Sequence, residues 1–327
     1  MDAFSDILSG VKLNGALYFN AEFSAPWGVD TPASQYLSAI LAPECPHLVI
    51  YHLVIDGAAF AHMDGSVLPL VPGDVVVFPH GDPHILTSEP HSAETPETTV
   101  VRRKVQARDL TRLQAGGGGS RTRLVCGFMG CDPQLSRPIL SALPPILKVN
   151  VRSDASGQWL ESSILQLVEE ASSGRVGSEA MLSKLSEALF VDILRRYIAS
   201  LPEEQTGWLS GSRDPVVGRS LSLMHRQAHH PWTIADLARE VGISRSALIE
   251  RFTRYLSEPP MTYLTRWRLQ LAARSLVRTP KGVAEIAAEV GYESEAAFNR
   301  AFKREFGLPP ARYRRDRRNS VVEQPAT

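Results

Sequence analysis

Two short segments in the last third of the chain carry side chains that can hydrogen bond to the edges of nucleic acid bases. Arginine pairs with guanine, asparagine with adenine and glutamate with cytosine, while aliphatic groups contact the thymine methyl. The first segment follows Gly242 and Ser244, and the second follows Gly291 and Ser294. Candidate contacts with double-stranded DNA are Arg245, Ser246, Ile249, Glu250, Arg251, Glu295, Ala296, Asn299, Arg300 and Lys303.

Both segments belong to an internal repeat, in which the second copy has one extra residue at its turn. The matching pairs include Ala238 and Ala287, Glu240 and Glu289, Phe252 and Phe302, and Pro260 and Pro310. In each copy apolar residues at helical spacing precede a glycine, which favours the left-handed conformation that ends a helix. A serine then stands where it can cap a second helix. This order predicts a helix-turn-helix, whose second helix enters the major groove.

Two such units joined by a predicted helix over Thr262–Val277 resemble the AraC/XylS family of transcription regulators, over about residues 215–315. The second copy carries that family's pattern at Phe298, Arg300, Phe302, Lys303, Phe306, Gly307, Pro310, Tyr313 and Arg314. The resemblance implies sequence-specific binding to DNA, and contact with RNA polymerase if the protein is an activator. The joining helix would span about 24 Å, which can place two recognition helices about one DNA turn apart.

The first copy departs from the family at one position, where Glu250 stands in place of an arginine. Glutamate can accept from cytosine but is repelled by phosphate. Arg251 beside it either compensates with a phosphate contact or faces away from the DNA. We therefore expect the stronger specific contacts from the second copy, at Asn299 and Arg300.

The charge distribution agrees with a nucleic acid partner at one end of the chain. The whole sequence has a net charge of zero, but residues 213–318 contain 20 Lys and Arg against 11 Asp and Glu, a net charge of +9. Residues 1–212 carry the compensating acidic excess. Such asymmetry is typical of a protein with one polyanion-binding domain.

The first half of the chain predicts strands. Short runs rich in valine, isoleucine and leucine lie between about residues 48 and 86, at a spacing typical of a β-barrel or sandwich. Within them, Pro72–Leu86 resembles the second cupin motif, with Gly73, Pro79, Gly81 and His84 at its spacing. The resemblance implies a cupin-type sensor domain. We expect it to bind a small organic effector near His52 and His84, with Trp27 as a further candidate.

Metal-bearing cupins, by the same resemblance, add an HxH pair and a glutamate, of which this sequence has no clear example. Neither a metal nor another cofactor is therefore predicted, and the protein is not expected to be an enzyme. The alternative is a metal-dependent cupin enzyme fused to a DNA-binding domain, which stoichiometric iron, nickel or zinc would favour. A third interpretation is a constitutive DNA-binding protein whose barrel has no effector.

The expected fold class is α+β with two domains: an N-terminal cupin-like β-barrel with a helical hairpin, and a C-terminal all-α double helix-turn-helix. The boundaries are 1–155 for the sensor, 156–200 for the hairpin, 201–214 for a linker, 215–318 for the DNA-binding domain and 319–327 for a disordered tail. The second hairpin helix carries an apolar stripe that either packs on the barrel or forms a dimer seam; its members are Leu182, Leu185, Leu189, Ile193 and Tyr197.

The location predicted from the sequence is the cytoplasm. The N-terminus lacks the basic and apolar regions of a signal peptide, and no uncharged apolar stretch reaches membrane-spanning length. The three cysteines are too few for a disulfide framework.

Overall fold

The β-branched runs of the first half form strands, as the sequence predicts. A computed structural model describes residues 4–5, 14–43, 45, 47–91, 97–107, 113–131, 139–171, 176–202 and 204–322. Its strands are β1 (Asn14–Ser24), β2 (Gly28–Thr31), β3 (His47–Asp56), β4 (Ala59–Met63), β5 (Ser66–Leu70), β6 (Asp74–Phe78), β7 (His84–Thr87), β8 (Leu113–Gly116), β9 (Arg121–Cys131) and β10 (Leu147–Asn150).

These strands make two sheets. One has the order β10-β6-β3-β9-β1-β8 and the other the order β2-β7-β4-β5. Neighbouring strands run antiparallel except β1 and β8. The predicted cupin-like β domain is confirmed, but the barrel is not closed among the described residues, because the outermost strands of each sheet pair on one side only. Apolar side chains from both sheets share one core, including Phe23, Leu48, Phe78, Ala61 and Leu86.

The described residues of this part also form the helices α1 (Ser34–Leu41), α2 (Thr98–Ala107), α3 (Ala155–Ala171) and α4 (Ser178–Ser200). Helices α3 and α4 confirm the predicted hairpin, whereas α1 and α2 were not predicted. On α4, Leu182, Leu189 and Ile193 are each at most 3% exposed within the single chain. The apolar stripe is thus largely used for packing inside this unit.

Helix α4 lies on the outer face of the larger sheet. Tyr51 on β3 donates its hydroxyl to Ser186 of α4 at 2.9 Å. A methyl group on Gly127 of β9 would come within 2.2 Å of the Tyr51 ring, so glycine leaves the room that this tyrosine needs. Together these strands and α1–α4 belong to one compact unit, Lys12–Pro133 with Leu143–Ser200, which we call the sheet unit.

The second compact unit consists mainly of Leu201–Thr327 and is called the helical unit. It contains α5 (Trp208–Arg213), α6 (Pro215–Arg226), α7 (Ile234–Glu240), α8 (Arg245–Leu256), α9 (Pro260–Arg278), α10 (Val283–Glu289), α11 (Glu295–Phe306) and α12 (Pro310–Val322). None of the helices in the described part of the chain has both the length and the apolar character needed to span a bilayer.

Two of the predicted segments contain helical residues. The segment 201–214, expected to be a linker, contains α5, because the buried Trp208 donates from its indole Nε1 to the hydroxyl of Tyr263 at 2.9 Å. The segment 319–327, expected to be a disordered tail, begins inside α12, which continues to Val322. Residues 323–327 lie outside the described residues.

Candidate nucleic-acid interface

The first helix-turn-helix consists of α7 and α8. Thr233 and Asp236 form a capping box at the start of α7. The turn contains Gly242 with a φ of +74°, the left-handed conformation predicted for it. Ser244 then accepts a hydrogen bond from the amide of Ala247 at 3.2 Å and caps α8. The predicted turn chemistry is confirmed in this copy.

The second helix-turn-helix repeats this geometry in α10 and α11. Gly291 has a φ of +86°, and Ser294 accepts from the amide of Ala297 at 3.2 Å. Phe298 and Phe302 of α11 are fully buried, as the equivalent Leu248 and Phe252 of α8 are in the first copy. The copies differ at their first helix, because Gly282 gives α10 no side-chain cap. Both second helices are thus anchored through one face and leave the opposite face accessible.

Most predicted contact residues lie on these accessible faces. Helix α8 exposes Arg245, Ser246, Ile249 and Glu250, and helix α11 exposes Glu295, Ala296, Arg300 and Lys303. Asn299 is half-buried on α11. Ile249 is 39% exposed, so its side chain is available for contact with a thymine methyl. The structure therefore brings the candidates together in two sets, one on each helix.

Arg251 is the exception, because it is held by the protein. Its guanidinium donates to both carboxylate oxygens of Asp214, with the shortest contact, Nη2 to Oδ2, at 2.7 Å. Asp214 also accepts from the amides of Val216 and Val217 and so caps α6. Burial opposes the charged carboxylate, but Arg251 and these amides outweigh it and lower the pKa of Asp214. Arg251 joins α8 to α6, a role that the sequence analysis did not assign.

Helix α9 connects the two copies and contributes to the core of the second. Its residues Leu269, Ala272, Ala273 and Leu276 pack with Phe298 and Phe302. Arg268 donates to the carbonyl oxygens of Ala228 and His230, in the loop that precedes the first copy. Arg314 of α12 donates to the carbonyl of Leu276, at the end of α9. Nineteen helical residues give α9 a length of about 28 Å.

An aromatic cluster that the sequence analysis missed supports the first copy. The Tyr263 hydroxyl accepts from Trp208 and lies 2.8 Å from Nε2 of His225. The His225 ring also packs against Trp267, with ring centroids 4.4 Å apart. Burial lowers the pKa of His225 to about 3, so this imidazole is neutral at physiological pH. The separation of these residues along the chain gave no local signal of the cluster.

In the sheet unit, the predicted effector residues His52 and His84 contact each other. Their Nε2 atoms are 2.8 Å apart, and His52 Nδ1 lies 2.8 Å from the Cys126 thiol. Since the Asp82 carbonyl can only accept, His84 Nδ1 donates to it at 2.9 Å. With both rings neutral, His84 Nε2 accepts from His52, and His52 Nδ1 accepts from Cys126. Every polar atom of the three side chains is then used inside the core.

Burial explains the neutral state of both rings. It lowers the pKa of His84 to about 4, against the opposing effect of its bond to Asp82. It also lowers the pKa of His52, and the adjacent His84 adds to the effect. The Phe78 ring stacks on His84 with centroids 3.5 Å apart. Trp27, the third predicted effector residue, is 1% exposed and stacks on Phe23.

Histidine and cysteine side chains are also common ligands of metal ions. Among the described residues, however, no group of three or more His, Cys, Asp or Glu side chains is arranged so that it could hold a metal ion. His52 and His84 are paired with each other and with Cys126, as described above.

Comparison with known proteins agrees with both units. A family model described as a cupin matches residues 2–199, and one described as a helix-turn-helix domain matches residues 237–316. A putative AraC-like transcription regulator of Streptomyces lividans is 31% identical over 318 residues, covering 96% of this chain and 98% of that protein. The chain belongs to the AraC-like transcriptional regulators. As such it is a sequence-specific DNA-binding protein with a cupin domain ahead of its helix-turn-helix region.

Other similar proteins include the transcriptional regulator AlkR of Acinetobacter baylyi, which is 27% identical over 317 residues and covers 96% of this AraC-like regulator and 99% of AlkR. Among solved structures, the DNA-binding domain of AdpA in complex with a target DNA is 26% identical. That match covers 34% of this chain and 98% of the AdpA chain, with a TM-score of 0.32.

Proposed function

We propose that this AraC-like regulator reads one operator with both helix-turn-helix units, and that a small molecule bound in the sheet unit controls its affinity for that operator. The observation that carries the first part is the shared geometry of the two units, with the same left-handed glycine, serine cap and pair of buried residues. A single helix, α9, joins them. Helices α8 and α11 would then enter successive major-groove segments.

The side chains give the two halves of the operator different chemistry. In α11, Asn299 suits adenine and Arg300 suits guanine, each through two hydrogen bonds. In α8, Arg245 suits guanine, Ile249 suits a thymine methyl and Glu250 suits the amino group of cytosine. Ser246, Glu295 and Ala296 complete the two faces, and Lys303 suits a phosphate. Arg251 is not expected to contact the DNA, because Asp214 engages its guanidinium.

We further propose that the sheet unit is a sensor and not an enzyme, which is supported by relatives of nearly the same length that are named as transcription regulators. The partners follow from the family: operator DNA, a small-molecule effector and, for an activator, RNA polymerase. A homodimer in the cytoplasm is the state in which we expect the protein to act.

The test starts from genome-wide mapping of the sites that the full-length chain occupies. An operator from the strongest site is then titrated with the wild-type chain and with variants Arg245→Ala and Arg300→Ala at fixed salt. Each variant should lose discrimination in its own half of the operator only. A wild-type chain without enriched sites, or one that needs only one half-site for full affinity, would refute the two-unit proposal.

Effector control is tested on the same operator. Thermal-shift screening of small metabolites with the full-length chain finds compounds that stabilise it, since a ligand of the folded state raises stability. Each stabilising compound is then added to the operator titration. A change in operator affinity supports the sensor, and a screen in which no compound changes this affinity refutes it.

A further inference from the structure

The sheet unit has a cleft away from the buried histidines. It has a volume of about 320 Å³ and lies between β2, α1 and α2. Its apolar lining comes from two helix faces, with Leu37 and Ile40 on α1 and Val101 and Val105 on α2. A cleft of this size is at the lower end of the range found for small-molecule sites, which are mostly apolar with a few polar groups.

Hydrogen bonds hold the walls of the cleft in place. Ahead of α2, the buried Glu97 accepts from the amide of Gly28 on β2 at 2.9 Å. Thr98, the first residue of α2, accepts from the amide of Asp30 at 2.9 Å. On the other side, the first residue of α1, Ser34, donates its amide to the carbonyl of Gly81 at 2.8 Å. The starts of both helices are therefore fixed before a ligand enters, which lowers the entropic cost of binding.

Two charged residues line the cleft, Arg102 on α2 and Asp30 on β2. Arg102 is exposed and forms no ion pair with any residue that the structure describes. A guanidinium presents a planar set of donors that matches a carboxylate with two parallel hydrogen bonds. The carboxylate of Asp30 would repel an anion, so a bound carboxylate would lie at Arg102 with the apolar part between the helices.

Resting on the proposed effector control, we propose that this cleft is the effector site, and that it takes a small monocarboxylic acid with an apolar body. The alternative region around His52, His84 and Trp27 is occupied by packed side chains whose exposures are at most 2%. A ligand there would have to break the chain of hydrogen bonds that runs from Cys126 through His52 and His84 to the carbonyl of Asp82. The cleft requires no such rearrangement.

The two charges allow a test with opposite signs. Octanoate and 4-phenylbutanoate are titrated into the full-length chain by calorimetry, with octan-1-ol and octylamine as uncharged and cationic comparisons. We expect the acids to bind and the alcohol to bind at least about tenfold more weakly, because it lacks the charge-assisted hydrogen bonds to Arg102. The amine can pair only with Asp30, so its binding should be insensitive to Arg102→Gln and weakened by Asp30→Asn. Arg102→Gln should weaken the acids by about tenfold, and Asp30→Asn should strengthen them.

Arg103 is the matched control, since it is exposed on the same helix but does not line the cleft. Arg103→Gln should leave the binding of both acids unchanged. Val101→Phe is a second variant, which should block the cleft without removing charge. Binding that is lost equally in the Arg102 and Arg103 variants, or acids that fail to bind a folded wild-type chain, would overturn the assignment.

The operator titration separates this proposal from the one on which it rests. Any compound that changes operator affinity in the wild type is repeated with Arg102→Gln and Val101→Phe. If both variants abolish the response, the cleft is the effector site. If the response survives in both, the sensor function stands and the cleft assignment fails. If no compound changes operator affinity in the wild type, the sensor function itself fails.

Discussion

Arg300 and Glu250 occupy equivalent positions in α11 and α8, and both are exposed. A bidentate arginine contact with guanine gives about 1–3 kcal/mol of discrimination, whereas a glutamate gains from cytosine but is repelled by nearby phosphates. We expect Arg300→Ala to weaken specific binding more than Glu250→Ala. Titration of the operator and of a scrambled duplex at one salt concentration measures the difference. Equal losses from the two variants would contradict this order.

Arg251 is a predicted DNA contact whose guanidinium is paired with Asp214 in the structure. Asp214 is 3% exposed on its side chain and Arg251 43%. Because one partner is half-exposed, we expect Arg251→Ala to lower the free energy of unfolding by about 1–3 kcal/mol, less than for a fully buried pair. Thermal unfolding of the full-length chain measures it.

The matched control for Arg251 is Arg245→Ala on the same helix, which should weaken operator binding and leave thermal stability unchanged. Arg251→Lys should fall between the wild type and alanine, since lysine cannot make both hydrogen bonds at once. A thermal midpoint for Arg251→Ala that equals the wild type would show that Asp214 does not depend on this arginine.

His84 gives the stability of the sheet unit a defined pH dependence. Its pKa is about 4 in the folded chain, below the value of 6.5 for an unperturbed imidazole, because burial disfavours the charged ring. The folded state therefore binds fewer protons, so stability is complete above pH 6.5 and falls as the pH drops toward 4. Roughly 3 kcal/mol would be lost over that interval for this group.

Thermal midpoints measured from pH 7.5 to pH 4 check this dependence. His84→Gln should reduce the loss below pH 6.5, because one titrating group is gone, while His52 and His225, whose pKa values burial also lowers, remain. His80→Gln changes a half-buried histidine in the loop before β7 and should keep the slope of the wild type. A wild-type slope retained in His84→Gln would contradict the assignment.

At the scale of elements, the sequence predicts those helices and turns whose conformation depends on residues close to them along the chain. The helix-turn-helix units depend on Gly242, Ser244 and their repeats, whose conformation and capping follow from residue type. Helix α5 was missed because its sequence contains glycine and two serines, and its stability comes from Trp208 meeting Tyr263, far along the chain. The contact between His52 and His84 could not be predicted for the same reason, because the two residues are 32 positions apart along the chain.

The contacts of helix α9 lead us to predict a fixed spacing between the two halves of the operator. Its residues pack in the core of the second helix-turn-helix, and Arg268 attaches it to the loop before the first helix-turn-helix. Inserting 5 base pairs between the half-sites turns one of them to the opposite face of the duplex. We expect this insertion to reduce affinity to that of a single half-site, as measured in the operator titration.

Inserting 10 base pairs restores the face but adds about 34 Å, which α9 cannot span, so affinity should remain low. The double variant Asn299→Ala with Arg300→Ala is the control. It lacks contacts in the second half and should be insensitive to both insertions. Full affinity on either expanded operator would show that the two units are not held at a fixed distance.

At the scale of the whole molecule, the net charge of zero is the sum of an acidic first part and a basic DNA-binding part of the chain. Residues 213–318 carry a net charge of +9. Ionic screening limits each exposed charge to about 8 Å at physiological salt, so the local charge and not the total determines the interaction with phosphates. We therefore expect operator affinity to fall steeply with added salt, in spite of the neutral composition.

Lys303 provides the quantitative form of this prediction. It is exposed near the end of α11, and a phosphate contact contributes a slope of about −0.9 to log Kobs against log salt. Lys303→Ala should make the slope less steep by about 0.9 on the operator and on a scrambled duplex alike, because phosphate contacts carry no sequence information. Lys184→Ala, which removes an exposed lysine of the sheet unit, should leave both slopes unchanged. If the two lysine variants changed the slope equally, the dependence would belong to total charge and not to the charge of the helical unit.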